Sequence, residues 1–342
     1  MLFRKSLRCQ IVALAAGIVL GVAGAEGPGA APPLRSFTPG SAWLDTAGQP
    51  INAHGGGLLY EAGTYYWFGE KRGRRASLGV NVYSSTDLYN WRFETLALAP
   101  VTNEPGHDLA FGCVLERPKV LHNGKTGQYV MWFHLELKGE GYNAARAGVA
   151  VSDRVTGPYR FVHSFRPHDH MARDMTLFRD DDGRAYQFYA SRDNYDLRVC
   201  QLSDDFLRPG ERDMVITSDH REAPAVFKRQ GTYFLITSAC TGWRPNAANY
   251  YTASRLFGPW TAHPNPMRGP QAETTFDAQS TFVLALPGRP QDLIFLADRW
   301  NPRNLAESRY VWLPIRFPNG QLQIEWQNEW RLADLEDAPK AK

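Results

Sequence analysis

Short apolar runs alternate with turn residues along most of this chain. A run of β-branched and aromatic residues, a turn that contains glycine, and a second such run occur in the same order five times. These repeats lie at residues 57–68, 119–132, 176–186, 225–235 and, more loosely, 281–296. Asn-Gly and Asp-Gly turns between runs of this kind are typical of β-hairpins, so the pattern predicts five hairpins. No segment sustains a helical period.

Further strands follow the predicted hairpins. Third strands are predicted at residues 80–85 and 147–152, and closing segments lie at residues 87–91, 157–161 and 258–261. A repeat of roughly 50 to 60 residues with about four strands is typical of a propeller blade, and five blades fit after residue 54. The alternative, a two-sheet sandwich, lacks so regular an internal period. We therefore predict an all-β protein with a five-bladed β-propeller fold.

The N-terminal segment has the composition of an export signal. Basic residues, among them Arg4 and Arg8, precede an apolar run at residues 11–22, and small residues follow at 23–25. This order predicts a signal peptide over residues 1–25 and an exported protein, either periplasmic or secreted. A transmembrane anchor and an uncleaved amphipathic helix are the alternatives, although the apolar run is shorter than the roughly 20 residues that span a bilayer.

The remaining chain divides by composition into three parts. Residues 26–42 are rich in Gly, Pro and Ala and are predicted to form a flexible lead-in. Residues 43–335 are predicted to form one catalytic propeller domain, and residues 336–342 a short tail. No appended carbohydrate-binding domain is predicted, and we expect a monomer that does not associate with a membrane once the signal is cleaved.

Composition limits the partners and the sources of stability. Hydrophobic residues make up 43% of the chain and aromatic residues 13%, which is enough for a large core. A formal net charge of +3 argues against a nucleic-acid partner. The three cysteines left after signal cleavage, Cys113, Cys200 and Cys240, allow at most one disulfide, so the fold must rest on its core. No Cys or His spacing suggests a structural zinc site.

One polar residue stands at the start of each predicted first strand. These residues are His54, Glu116, Asp174, Glu222 and Gln279. Because the first strand of each propeller blade lines the channel, we expect the five side chains to converge on one axis. Clustered carboxyl groups are costly, since like charges and desolvation both raise their pKa values, and a fold does not need them for stability. The alternative is that each carboxylate only pairs with an arginine beside it. Those arginines are Arg117, Arg173 and Arg221.

Clustered carboxyl groups between aromatic walls suit glycoside hydrolysis. In that reaction one carboxylic acid with a raised pKa protonates the leaving oxygen, while a base on the opposite face of the sugar activates water. Trp243 and Trp300 are predicted to stack on the substrate, and Trp67 is a third candidate. Packing between blades is the alternative role for each of these tryptophans.

At these residues the sequence resembles glycoside hydrolase family 43, whose fold is a five-bladed propeller. Residues 222–228, a Glu followed by Ala and Pro, resemble the family's acid motif, which implies that Glu222 is the general acid. Residues 173–178 and the acidic turn after them resemble the blade-three motif. This resemblance implies that Asp174 tunes the pKa of the acid and orients it.

The chain departs from the family at the head of blade one. Most members carry an Asp general base there, whereas this chain has His54 followed by three glycines. That pattern, together with residues 116–120 and 279–283, is similar to the branch that contains exo-β-1,3-galactanases and related galactosidases. The resemblance implies that Gln279 holds the water, with a possible role as base through its imidic acid tautomer, and that Glu116 binds the substrate.

The identity of the base stays open at the level of sequence. A neutral amide oxygen is a very poor base, so Gln279 requires either a stabilised tautomer or a reaction dominated by leaving-group protonation. His54 is a second candidate, because its ordinary pKa suits proton transfer, although a structural or substrate-binding role is the alternative. Asp277 and Glu273, just upstream of Gln279, are further candidates.

We therefore expect an exo-acting, inverting glycoside hydrolase that releases galactose from a β-1,3-galactan of the arabinogalactan type. An α-L-arabinofuranosidase or a β-xylosidase is the alternative within the same fold. A glycan-binding propeller that has lost its base is the alternative from another class. The expected partner is a carbohydrate, no cofactor or metal is required, and the sequence leaves a central calcium ion undecided, because the acidic run at residues 180–182 suits a hairpin turn.

Overall fold

A computed structural model describes residue 1, residues 33–74 and residues 76–335 of the chain. The described residues form five sheets, whose neighbouring strands are antiparallel except for one parallel pair in the last sheet. The strands of the first sheet are β1 (His54–Glu61), β2 (Thr64–Arg72), β3 (Ser77–Ser85) and β4 (Arg92–Leu98). Those of the second are β5 (Val114–Asn123), β6 (Gln128–Glu136), β7 (Arg146–Ser152) and β8 (Arg160–Phe165).

The remaining sheets repeat the same arrangement. The third contains β9 (Met175–Arg179), β10 (Ala185–Ser191), β11 (Asp196–Leu202) and β12 (Pro209–Thr217). The fourth contains β13 (Arg221–Arg229), β14 (Thr232–Ala239), β15 (Asn249–Ala253) and β16 (Thr261–His263). The fifth contains β17 (Met267–Arg268), β18 (Gln279–Leu286), β19 (Arg289–Arg299), β20 (Arg309–Arg316) and β21 (Gln323–Glu325). In this last sheet β17 lies outermost, parallel to β21.

One strand of each sheet contributes to a closed inner ring. These strands are β1, β5, β9, β13 and β18, which are the first strands of the five sequence repeats and are called first strands below. Strand β1 contacts β5, β5 contacts β9, β9 contacts β13, β13 contacts β18, and β18 returns to β1. Each first strand is therefore the innermost strand of its blade. The prediction of a five-bladed propeller is confirmed.

Three of the first strands are irregular immediately after their polar residue. The pairing register shifts after His54, Glu116 and Glu222, as at a β-bulge. The next residue has a left-handed φ in each case: 58° at Gly55, 56° at Arg117 and 53° at Ala223. Bulges re-aim side chains and are frequent beside active sites. At the two non-glycine positions this conformation costs on the order of 1 kcal/mol or more, which the surrounding structure must offset.

Aromatic side chains fill the core between blades one and five. Trp67 is 2% exposed, and its ring centroid lies 4.8 Å from that of Trp312 and 4.6 Å from that of Tyr310. The prediction that Trp67 stacks on a sugar is therefore wrong, because its ring is buried by packing between blades. The three cysteines of this part of the chain are free thiols, and two of them, Cys113 and Cys200, are buried.

The predicted lead-in is described from residue 33 onward. Phe37 is 2% exposed, stacks on Trp330 at 4.4 Å between ring centroids, and donates its N–H to the Trp330 carbonyl. Phe37 also contacts Tyr89 of blade one, so this segment packs on the first and last blades, and the compact domain begins at Pro33 rather than at residue 43. Flexibility is wrong as a prediction for that part of the segment, because a buried aromatic side chain holds it.

Short 3₁₀ turns complete the described structure. They are Pro167–Asp169, Ala272–Thr274, Leu305–Glu307, Pro318–Gly320 and Leu332–Leu335. None of the helices in the described part of the chain is both long and apolar enough to cross a membrane. The predicted signal peptide, apart from Met1, and the predicted tail lie outside the described residues.

Candidate active site

A cavity of about 270 Å³ opens where the heads of the first strands meet. Six of the seven residues predicted for the site line it, namely Glu116, Asp174, Glu222, Trp243, Gln279 and Trp300. The structure thus brings together carboxyl groups from blades two, three and four and an amide from blade five. The volume of the cavity is slightly below the roughly 300–1,000 Å³ typical of small-molecule sites, which suits a small polar ligand.

Glu222 is a buried carboxyl group that accepts hydrogen bonds from two neutral amides and also contacts the Cys240 thiol. Its Oε1 accepts a hydrogen bond from Gln279 Nε2 at 2.9 Å, and its Oε2 accepts one from Asn194 Nδ2 at 3.0 Å. Burial, followed by the negative charge of Asp174, raises the pKa of Glu222 to about 7. A carboxyl group in this state carries a transferable proton near neutral pH, as a general acid must.

Asp174 is held by an arginine from the neighbouring blade. Arg117 Nη2 lies 2.8 Å from Asp174 Oδ2, and the same nitrogen also donates to Gln279 Oε1. Arg117 therefore pairs with Asp174 rather than with Glu116, its neighbour in sequence. Arg173 pairs with Asp193, and Arg221 donates to Thr237 rather than to a carboxylate. The sequence alternative of local pairing does not account for the cluster.

Gln279 uses all four of its hydrogen-bonding positions. Its Oε1 accepts from Arg117 and, at 3.0 Å, from Trp300 Nε1, while its Nε2 donates to Glu222 and, at 3.0 Å, to Ser238 Oγ. Arginine and indole N–H groups are donors only, so the amide oxygen must face them. An imidic acid would carry a proton on that oxygen, opposite two donors. This pattern therefore favours the amide form, and with it a role in positioning rather than in taking a proton.

Glu116 is surrounded by donors, two of them cationic. Its Oε1 accepts from Arg72 Nη2 at 2.6 Å and from the Tyr142 hydroxyl at 2.9 Å, and its Oε2 lies 3.2 Å from His134 Nδ1. Burial alone would raise the pKa of Glu116, but His134 and Arg72 outweigh it and hold the pKa well below its ordinary value. Glu116 is therefore an ionised acceptor and not a proton donor.

His134 lies between two carboxylates. Its Nε2 is 2.8 Å from Glu136 Oε1, and Glu136 in turn accepts the Ala145 N–H at 2.8 Å. Burial would lower the pKa of His134, but Glu116 and Glu136 raise it to about 9. The imidazole is consequently a cation at neutral pH, with its Nε2 hydrogen-bonded to Glu136 and its Nδ1 paired electrostatically with Glu116.

Glu116, His134 and Asp174 could geometrically hold a metal ion. One ligand atom from each lies within 4.8 Å of the others. Arg72 and Arg117 already donate to the two carboxylates, and the imidazole is protonated. The positive charge that a divalent ion would supply is thus present in side chains, and the donor set does not favour a resident metal.

Second-strand residues complete the cavity and were missed from the sequence. Glu70 lies 1% exposed on the cavity wall, accepting from Arg72 Nε at 2.6 Å and from the Arg117 N–H at 2.8 Å. Burial raises the pKa of Glu70. Below the site, Lys119 is buried with its Nζ 2.8 Å from the Gly55 carbonyl, and burial together with Arg117 lowers its pKa to about 7.

His54 does not reach the cavity. It is fully buried, stacks on Tyr310 at 5.1 Å between ring centroids, contacts the Trp300 ring, and lies 3.7 Å from Asp298. Its cross-strand partner Glu70 takes the place on the wall instead. Gly55 is required there, because a Cβ at that position would overlap the Glu70 carboxylate. The prediction that His54 binds the substrate is therefore wrong. His54 is also too far from the cavity to act as the base.

The remaining candidates divide between wall and periphery. Trp243 is 48% exposed and meets Trp300 edge-on at 5.8 Å, so two indoles stand at the cavity. Asp277 accepts from Thr274 and Gln271 at 2.8 Å each and faces a smaller neighbouring pocket. Glu273, on the 3₁₀ turn before it, does not line the cavity.

Comparisons with known proteins agree with this geometry. A sequence model of glycosyl hydrolases family 43 matches residues 57–299. A β-1,3-galactosidase of that family, solved with galactodeoxynojirimycin, is 45% identical with a TM-score of 0.84, covering 86% of this chain and 100% of that one. The exo-β-1,3-galactanase of Phanerochaete chrysosporium, solved with β-1,3-galactotriose, is 37% identical with a TM-score of 0.81, covering 87% and 68%.

Curated relatives are more distant. Xylosidase/arabinosidase 43B of Humicola insolens is 23% identical over 205 residues, which are 54% of this chain and 36% of that enzyme. The xylan 1,3-β-xylosidase of a Vibrio species is 24% identical over 203 residues, 55% of this chain and 37% of that enzyme. The chain spans little more than a third of the length of these two relatives.

Proposed function

Because this chain belongs to glycosyl hydrolases family 43, we propose that it is an exo-acting, inverting glycoside hydrolase that releases galactose from β-1,3-galactan of the arabinogalactan type. The observation that carries the proposal is a pair of carboxyl groups on one small cavity whose pKa values are shifted in opposite directions: that of Glu222 is raised to about 7, and that of Glu116 is held well below its ordinary value. The names of the galactosidase and galactanase described above supply the sugar and the linkage.

In the proposed reaction Glu222 is the proton donor. Its O–H protonates the glycosidic oxygen as the bond from that oxygen to the anomeric carbon breaks. A water molecule attacks the anomeric carbon from the opposite face, which inverts its configuration, and the proton that this water loses passes to solvent, because a neutral amide is a very poor base. The negative charge of Asp174 keeps the acid protonated until the sugar enters.

Gln279 orients the attacking water in this scheme. All four hydrogen-bonding positions of Gln279 are occupied in the site without substrate, so a water molecule must replace one existing partner. In this scheme an entering sugar breaks the hydrogen bond between Gln279 Nε2 and Glu222, and the freed N–H binds the water. Glu116 binds a sugar hydroxyl through its oxygens, which Arg72 and His134 hold in place. Trp243 supplies an exposed ring face for stacking.

The small volume of the cavity supports exo action. A volume of about 270 Å³ holds a terminal sugar ring and not a chain that passes through. The polysaccharide must then enter by its end, with the second sugar outside.

A second candidate is an α-L-arabinofuranosidase or a β-xylosidase. It is supported by the names of the two curated relatives, although both are less similar than the galactan-active structures. A purely glycan-binding propeller is less favoured, because binding does not need a carboxyl group kept protonated at a cost. We further propose that the protein is exported and acts as a monomer.

Proton NMR of the protein with β-1,3-galactobiose tests the function directly. Galactose that appears first as the α-anomer would support both the sugar and the inverting mechanism. An arabinofuranoside and a xyloside in parallel tubes test the second candidate. Release of arabinose or xylose alone would overturn the galactose assignment, and no release from any of the three would favour the glycan-binding alternative.

A further inference from the structure

A hairpin turn of blade three reaches across to the acid in blade four. The turn joins β10 to β11, and three successive residues in it have left-handed backbones: φ is 47° at Arg192, 54° at Asp193 and 65° at Asn194. Such a run is strained in residues other than glycine. Arg192 ties the turn to Asp196 with two hydrogen bonds of 2.7 Å.

The side chain that this turn delivers is Asn194. It is 9% exposed and lines the cavity, and its Nδ2 donates to Glu222 Oε2 at 3.0 Å and to Cys240 Sγ at 3.3 Å. No feature of the repeat pattern singles out this residue, because it belongs to a turn and not to the head of a strand.

We propose that Asn194 is a positioning residue for the general acid, holding the carboxyl group of Glu222 by one oxygen while Gln279 holds the other. The inference rests on the proposed function, in which Glu222 donates the proton. Two amide donors from different blades, one on each oxygen, fix the orientation of the plane of the carboxyl group. The proton is thereby directed at a fixed point in the cavity.

Asn194 also sets the strength of the acid. An N–H donor stabilises a carboxylate more than a neutral carboxyl group, so it lowers the pKa. Burial and the charge of Asp174 raise the pKa of Glu222, whereas Cys240, Arg117 and Gln279 act in the same direction as Asn194 and lower it. Without Asn194 the proton would be held more tightly, and transfer to a poor leaving group would be slower. Arrival of the sugar displaces Gln279 in the proposed scheme, which leaves Asn194 as the contact that keeps the acid in place.

The test compares Asn194→Ala and Asn194→Asp with the unaltered protein. The alkaline limb of kcat/KM on β-1,3-galactobiose should move to higher pH by about half a unit to one unit in Asn194→Ala. It should move further in Asn194→Asp, which places an acidic group where the donor was. Turnover of galactobiose should fall about tenfold or more, while an aryl galactoside, whose leaving group needs little protonation, should lose much less.

A matched control is Asn123→Ala. Asn123 is the last residue of β5 and is also buried, and it donates its Nδ2 to the Asp204 carbonyl at 2.8 Å, but it lies at the opposite end of the strand from Glu116. This variant should lose stability without moving the alkaline limb. Asn194 variants in which the limb stays in place, and in which both substrates slow in parallel, would show a merely structural role and overturn the inference.

Failure of the proposed function would look different. If the unaltered protein hydrolyses neither galactoside, the titration of Glu222 can still be followed by ¹³C NMR in the unaltered protein and in Asn194→Ala. An upward shift of that titration in the variant supports the role of Asn194 on the carboxyl group. An unchanged titration overturns it, whatever the substrate is.

Discussion

Glu116 and Glu222 line one cavity from blades two and four and are equally buried, at 8% and 9% exposure, yet their pKa values are shifted in opposite directions. Glu116 faces an arginine and an imidazolium, whereas Glu222 accepts from two neutral amides and lies near Asp174. Burial penalises the charge of both groups. The charge of the neighbouring side chains therefore decides which carboxyl group is the acid, because the two groups do not differ in burial.

The largest effect should come from removing the proton of Glu222. Glu222→Gln keeps the shape of the side chain but cannot protonate a glycosidic oxygen, so galactobiose turnover should fall about 10²–10⁴-fold with little change in binding. Reducing-sugar release over time, with ligand binding measured by calorimetry, checks both parts. Near-normal turnover of galactobiose would mean that Glu222 is not the acid.

Gln279→Ala should come next. The variant removes the group proposed to hold the water and also one donor on Glu222, so turnover should fall about 10²-fold. Ser238→Ala, which removes a partner of the same amide nitrogen without touching the amide, is the control. A mild effect of Gln279→Ala would assign the water to another group, and Glu70 on the cavity wall is the first candidate.

Stability should separate the two sides of the cavity in a different way. Glu116→Gln leaves Arg72 and His134 without their shared counter-charge, which should cost about 3 kcal/mol of unfolding free energy. Glu222→Gln exchanges one neutral group for another below pH 7 and should cost only about 1 kcal/mol for one mismatched hydrogen bond. Chemical denaturation at pH 6 measures both. Equal losses would show that the charges on the Glu116 side do not stabilise the fold.

The fold was predictable because its repeat is written in local signals. Hairpin turns and alternating strands recur five times, and the innermost strand of each blade follows from its place in the repeat. The heads of these strands therefore supplied Glu116, Asp174, Glu222 and Gln279. His54 failed because a bulge and a glycine let the second strand take its place on the wall.

The missed residues follow a rule that the sequence could have supplied. Glu70, His134 and Ser238 are the cross-strand partners of His54, Glu116 and Glu222. Aligning the ends of the second strands as well as the heads of the first would have found all three. Asn194 and Tyr142 come from turns and loops, whose course depends on tertiary contacts that no repeat encodes.

The smallest predicted effect is a shift in pH dependence that Asp174→Asn should produce. Activity requires protonated Glu222, so it is present below a pKa of about 7 and lost as the pH rises through that value. The negative charge of Asp174 raises this pKa, and the variant also frees the Arg117 cation that Asp174 pairs with. Both changes lower the pKa of Glu222, so the alkaline limb of kcat/KM should move to lower pH by about one unit.

Asp277→Asn is the matched control for that shift. Asp277 lies two residues before Gln279 but faces away from the cavity, toward Thr274 and Gln271, so its limb should coincide with that of the unaltered protein. A limb that stays in place or moves upward in Asp174→Asn would show that the charge of Asp174 does not raise the pKa of Glu222. A downward shift in Asp174→Asn, opposite to the upward shift expected in Asn194→Ala, would show that two residues of blade three act on the pKa of Glu222 in opposite directions. Asp174 raises that pKa and so keeps the proton on Glu222, whereas Asn194 lowers it and so favours release of the proton.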